Sequence, residues 1–108
     1  MPLLIAVLPE FAAEVKTALL SANRPELAAQ LDRATIDYCT HEPGEQQAYI
    51  YLVRPVAPPP SAGPVAEMLV FYQEQGFNVD IDAAGQLFGI ELLWRPEIVA
   101  QLRAAKAL

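Results

Sequence analysis

Phe77-Asn78-Val79-Asp80-Ile81-Asp82-Ala83-Ala84-Gly85-Gln86-Leu87-Phe88-Gly89-Ile90-Glu91-Leu92-Leu93 reads as two strands folded back on each other. Phe77, Val79 and Ile81 alternate with Asn78, Asp80 and Asp82, the period-2 pattern of a strand with one buried face. The small-residue break Ala83-Ala84-Gly85-Gln86 separates it from a second apolar run over Leu87–Leu93. Burial then selects the register. A loop of even length sets Asp82 opposite Leu87, Ile81 opposite Phe88, Val79 opposite Ile90 and Phe77 opposite Leu92, with these six apolar side chains on one face. A three-residue loop would pair Ile81 with Leu87 and Val79 with Gly89 and split the apolar set. Because a one-residue slip turns every side chain over, the even loop is expected. The opposite face carries Asn78, Asp80, Asp82 and Glu91 and is expected to be solvated.

Upstream, Thr35-Ile36-Asp37-Tyr38-Cys39 alternates and is rich in β-formers. The segment His41-Glu42-Pro43-Gly44-Glu45 is a turn, and residues 48–53 form the next strand. Ile50 and Leu52 face one side of that strand, Tyr49, Tyr51 and Val53 the other. With neither face purely polar, it is expected inside the sheet. Residues 66–72 are apolar almost throughout and read as another strand. Between them, residues 55–64 hold five of the ten prolines and form an extended surface connection. Ala57, third after Arg54, breaks the spacing that an SH3-type ligand needs.

The flanks read as helices. Phe11, Val15 and Leu19 share one face of a helix over residues 9–20, with Pro9 in the first turn. A second helix covers about residues 24–33, with Asn23 as cap and Glu26 three residues later, as in a capping box. Its buried stripe is Leu27, Ala28 and Leu31. Residues 3–8 are expected as an extended lead-in, with a short strand as the alternative. A last helix over residues 95–107 starts at Pro96 and turns Ile98, Leu102 and Ala105 inward. The fold class is therefore α+β in one domain. An N-terminal helical part (1–33) precedes an antiparallel meander of four or five strands (35–93), and the C-terminal helix packs on one face. No internal repeat is visible.

At 108 residues the chain fits one domain, and a 54% hydrophobic fraction excludes a disordered polymer. No apolar run approaches the ~20 residues of a membrane span. The run at residues 3–8 lacks the basic flank and the length of a signal peptide. A single cysteine allows no internal disulfide, so a cytoplasmic location is expected. The net charge of −6 opposes nucleic-acid binding. Residues 37–91 hold eight acids and one base, whereas the flanks hold five acids and six bases, so the acidic excess belongs to the sheet.

Residues 76–93 resemble the C-terminal half of the bacterial family catalogued as domain of unknown function 2283. The likeness rests on Asp82, Gly85, Leu87, Phe88, Gly89, Ile90 and Glu91. Gln47-Ala48-Tyr49-Ile50-Tyr51-Leu52 is similar to a strand of that family's first hairpin. Leu8-Pro9-Glu10-Phe11 and Arg95-Pro96-Glu97-Ile98 resemble the opening and closing motifs of a second uncharacterised bacterial group. That group often carries several cysteines before its second strand, of which this chain has only Cys39. The resemblances imply a fold and no activity.

Candidate sites are few. Cys39 and His41, two apart on a strand, point to one face and supply two of the roughly four ligands that zinc takes. Asp80, Asp82 and Glu91 could bind a cation or serve acid–base chemistry, although no calcium-loop spacing surrounds them. Gly85 and Gly89 form no phosphate loop, and no cofactor is expected. Tyr49, Tyr51, Tyr72 and Trp94, with Tyr38 and Phe71, are candidate interface anchors. The expectation is a non-enzymatic interaction protein, itself of immunity or antitoxin type in one form, a homodimer whose acidic sheet face takes a basic protein partner. The alternative is a ligand- or metal-dependent enzyme built on the three carboxylates.

Overall fold

The structure, a computed structural model, describes residues 1–42, 44, 47–57 and 63–108. Five strands, β1 (Ile36–His41), β2 (Gln47–Leu52), β3 (Glu67–Val70), β4 (Phe77–Ile81) and β5 (Leu87–Leu93), form one antiparallel sheet in the order β1-β2-β5-β4-β3. Sequence neighbours pair except at the β2–β3 joint. There the chain crosses to the far edge and returns through β4 to seat β5 against β2. Around the sheet stand α1 (Leu4–Val7), α2 (Pro9–Ser21), α3 (Pro25–Leu31), α4 (Tyr72–Gln75) and α5 (Pro96–Ala104). The chain thus adopts the expected α+β architecture. Of the proline-rich connection, residues 58–62 lie outside the described residues, as do residues 43, 45 and 46 of the preceding turn. Among the described residues no helix is long and apolar enough to cross a membrane.

Three helices begin with the same device: Leu8-Pro9-Glu10, Arg24-Pro25-Glu26 and Arg95-Pro96-Glu97. The proline ring pushes the preceding residue out of the helical region, and that residue sits at φ −119 to −131 and ψ 64 to 67 in all three. Proline then costs nothing in the first turn, and the glutamate meets the positive helix end. None of the three has a side-chain cap. Asn23, expected to cap α3, instead stands at φ +60 and ends α2, where the Arg24 amide donates to the Leu19 carbonyl at 2.9 Å.

The N-terminus also departs from expectation. Residues 4–7 form one helical turn rather than an extended lead-in or a strand. Only the residues ahead of it run beside β1: Leu3 bridges Thr35, and the Ile36 amide donates to the Pro2 carbonyl. The strand expected over residues 66–72 is confined to β3, because the chain turns into α4 and leaves it through Gly76 at φ +70. A Cβ at Gly76 would lie 2.7 Å from the Leu93 carbonyl oxygen. β1 runs on to His41, so the turn expected from there starts later.

The core is one cluster. It joins Phe11, Val15 and Leu19 of α2, Leu27 and Leu31 of α3, and Ile98 and Leu102 of α5 to one face of the sheet: Ile50, Leu52, Phe77, Val79, Ile81, Ile90 and Leu92. Val99 is buried where Ala105 was expected, and Ala105 is exposed.

The β4–β5 hairpin keeps two expected pairs, Val79 with Ile90 and Phe77 with Leu92, and breaks the other two, Ile81 with Phe88 and Asp82 with Leu87. Ile81 pairs with Leu87, not Phe88. The Asp82 amide donates to the Gln86 carbonyl, so the loop has an odd length, Ala83-Ala84-Gly85, with Gly85 at φ +76. The cause is turn chemistry. Asp82 Oδ1 accepts the amides of Ala84 and Gln86, both at 2.9 Å, which nucleates the odd turn. A β-bulge between the Ile81 and Asp80 pairs then restores the parity that burial demands. Leu87 enters the core and Phe88 passes to the opposite face.

Candidate interaction face

Among the described residues no helix covers that opposite face. It presents Tyr38 and Thr40 from β1, Tyr49 and Tyr51 from β2, Gly89 and Glu91 from β5, Asn78 and Asp80 from β4, and Met68 and Val70 from β3. Bulged Phe88 joins the tyrosines. Tyr38 stacks on Tyr51 at 4.3 Å between ring centres, Tyr49 leans on Tyr51 at 4.5 Å, and Phe88 meets Tyr51 edge-on at 5.9 Å. The Arg54 guanidinium lies 4.8 Å from the centre of the Phe88 ring, a cation–π contact.

The polar residues of this face are not solvated as expected. Asn78, Asp80 and Asp82 are only 6%, 7% and 2% exposed. Three local arrangements account for this. Asp82 is taken up by the turn, and its second oxygen accepts Gln86 Nε2 at 3.1 Å and lies 3.5 Å from Arg54 Nη1. Asn78 donates to Glu91 Oε1 at 3.1 Å and accepts the Phe71 amide at 3.2 Å. Asp80 Oδ2 accepts the Tyr49 hydroxyl at 2.5 Å, while Oδ1 has no partner among the described residues.

Gly89 makes the Tyr49–Asp80 bond possible. Tyr49 stands on β2 and Asp80 on β4, with β5 between them. A Cβ at Gly89 would lie 2.3 Å from Tyr49 Cε1 and 2.7 Å from its hydroxyl oxygen, so the ring crosses β5 over the glycine. Burial, and then the bond to Asp80, push the Tyr49 hydroxyl above its ordinary range. A glycine inside a strand is the sequence signal for such a close approach.

The other candidates lie elsewhere. Cys39 and His41 share the core-side face of β1, opposite Ile50 and Ala48. Cys39 packs against the core, and burial pushes its thiol up to about 11, so the nucleophilic thiolate is scarce at neutral pH. His41 Nδ1 lies 3.3 Å from Arg103 Nη2. Among the described residues no group of three or more His, Cys, Asp or Glu could hold a metal ion. Tyr72 and Trp94 are exposed, and among the described residues neither makes a ring contact with Tyr49 or Tyr51. They border a cavity of about 630 Å³ with Glu14 and Arg95, where α4 and the end of β5 meet α2.

The charges divide along the same line. Arg24, Arg95 and Lys16 form ion pairs with Glu26, Glu67, Glu97, Glu14 and Asp32. Among the described residues no Lys or Arg forms an ion pair with Asp37, Asp80 or Glu91. Sequence reasoning picked out Tyr49, Tyr51 and the carboxylates. It missed Phe88 and Arg54 as parts of the same face, because the bulge moves Phe88 and the arginine follows it, and it gave Gly89 no role there. Comparison with protein-family models, curated proteins and solved structures finds no match to this chain.

Proposed function

We propose that this chain is a cytoplasmic, non-enzymatic protein-interaction module that docks a basic partner on the uncovered face of its sheet. One observation carries the reading. The long helices pack on one side of the sheet, and the other displays Tyr38, Tyr49, Tyr51 and Phe88 beside Asp80 and Glu91, which form no ion pair among the described residues. Aromatic rings give large contact area at little entropic cost, and their faces attract cations. Arg54 over Phe88 is an instance of that attraction within the molecule. Nearby carboxylates would raise the rate of encounter with a basic surface. In one form of this reading the chain is itself an immunity- or antitoxin-like protein that neutralises a basic partner. An enzyme built on Asp80, Asp82 and Glu91 has less support, because Asp82 is spent on the turn and Glu91 holds Asn78.

The test is a pull-down from the native host with wild-type, Tyr38→Ala and Glu91→Gln bait at low and high salt. The expected result is one basic protein, retained at low salt, released at high salt and lost from both variants while their circular dichroism is unchanged. Retention of nothing at low salt, or retention that both variants leave intact, overturns the reading.

A further inference from the structure

The two edges of the sheet are not equivalent. β1 is protected at its start: Asp37 bulges out of the ladder, and the N-terminal segment binds the residues beside it through Ile36–Pro2 and Leu3–Thr35. β3 ends the sheet with Glu67-Met68-Leu69-Val70, and among the described residues nothing pairs with its outer side. The ladder phase follows from one bond, the Phe71 amide donating to the Phe77 carbonyl at 3.2 Å. With Leu69 opposite Val79 and Glu67 opposite Ile81, alternation turns the amide and carbonyl groups of Met68 and Val70 away from β4. The same two residues are the apolar ones left in solvent, Met68 51% and Val70 64% exposed.

We infer that β3 pairs antiparallel with β3 of a second copy, joining two sheets into one across a two-fold axis at Leu69. A two-fold axis fixes the register. Residues whose amides point outward must form the hydrogen-bonded pairs, so Met68 faces Val70 of the second copy and Val70 faces its Met68. Both exposed apolar side chains are then covered by each other, on the same side of the sheet. Charge does not oppose this contact, since Glu67, the one charged residue of the strand, is held by Arg24 at 2.7 Å. Pairing through the uncovered face would instead bring together two faces of like charge, each carrying Glu91 without an ion pair among the described residues. A second copy is therefore the occupant that the edge fits, and the inference stands apart from the basic-partner reading.

An edge of four residues belongs to the weak class of interfaces, so mass is measured by native mass spectrometry and sedimentation from ~1 µM to ~1 mM. The expected species at the upper end is a dimer of the 11.8 kDa chain. Val70→Lys, at an exposed site, is expected to weaken dimerisation by about tenfold or more with unchanged circular dichroism. Leu69→Cys in a Cys39→Ser background is expected to cross-link to its copy on mild oxidation, and Met68→Cys in the same background is not. A monomer at every concentration overturns the inference. So does a dimer that survives Val70→Lys, or one that Tyr38→Ala dissolves in its place.

Discussion

Tyr49 is the side chain on which the uncovered face depends. Among the described residues its hydroxyl is the only donor to Asp80, whose other oxygen has no partner there. Tyr49→Phe leaves a buried carboxyl with neither oxygen satisfied, and the cost of such a group is about 1–3 kcal/mol. Urea unfolding at pH 7 is expected to show that loss. The pH dependence follows from the raised hydroxyl. A tyrosine whose folded pKa lies above its unfolded value of about 10 contributes stability that is fully present below pH 10 and is lost as pH rises beyond it. Tyr49→Phe is therefore expected to flatten the alkaline limb of stability between about pH 10 and 12. Cys39, pushed up to about 11, titrates in that window, so the comparison belongs in a Cys39→Ala background. None of this coupling is legible in strand alternation. Alternation places Tyr49, Gly89 and Asp80 on one side of the sheet, but that they sit on adjacent strands depends on β2 pairing with β5, a contact between segments far apart in sequence.

At the scale of the elements, local chemistry was legible where it was strong. Pro-Glu pairs mark three helix starts, and β5 runs over the expected Leu87–Leu93. α1 and α4 escaped because a single turn is too short to show a helical period. The hairpin was misread for another reason. Parity was assigned to the loop, whereas Asp82 and Gly85 set an odd loop and the bulge at Phe88 corrected it. Trp94 poses the converse case. It precedes Arg95-Pro96-Glu97 at φ +62, as Asn23 precedes Arg24-Pro25-Glu26 at φ +60. Left-handed backbone costs a side chain roughly 1–2 kcal/mol, and asparagine tolerates it better than tryptophan. Trp94 is 67% exposed. The third of its surface that is buried is worth about 1–2 kcal/mol, given the 150–250 Å² of a buried aromatic at roughly 25 cal/mol per Å². The two contributions cancel. Trp94→Asn is expected to change unfolding free energy by less than about 1 kcal/mol, against the ~3–5 kcal/mol of truncating a core tryptophan. A measured loss in the core range would mean that Trp94 packs as a structural residue.

Across the whole molecule, one side chain joins the two ends of the chain. Arg95 sends Nη1 and Nη2 to the two carboxylate oxygens of Glu14, each at 2.9 Å, donates Nη1 to the Gln75 carbonyl at 2.6 Å and holds Glu97 through Nε at 2.5 Å. Its guanidinium also lies 5.4 Å from the centre of the Phe11 ring. α2, α4 and α5 therefore meet on a single planar fork. Lysine carries the charge but not the fork, so Arg95→Lys is expected to lose most of what Arg95→Ala loses. Breaking a fully buried pair costs about 3–5 kcal/mol; Glu14 keeps some contact with water here, and about 2 kcal/mol is the discounted expectation. The acid limb gives a second readout. The Arg95 guanidinium holds the Glu97 carboxyl below its ordinary range. A depressed carboxyl contributes stability that is present above its unfolded pKa of about 4.3 and is lost as pH falls through the folded value. The gap in unfolding free energy between wild type and Arg95→Ala should therefore narrow as pH drops from 7 to below about 4. A gap independent of pH would assign Arg95 to packing on Phe11 rather than to its ion pairs. A Lys variant as stable as wild type would remove the fork from the account of how the N-terminal helices and α5 are held together.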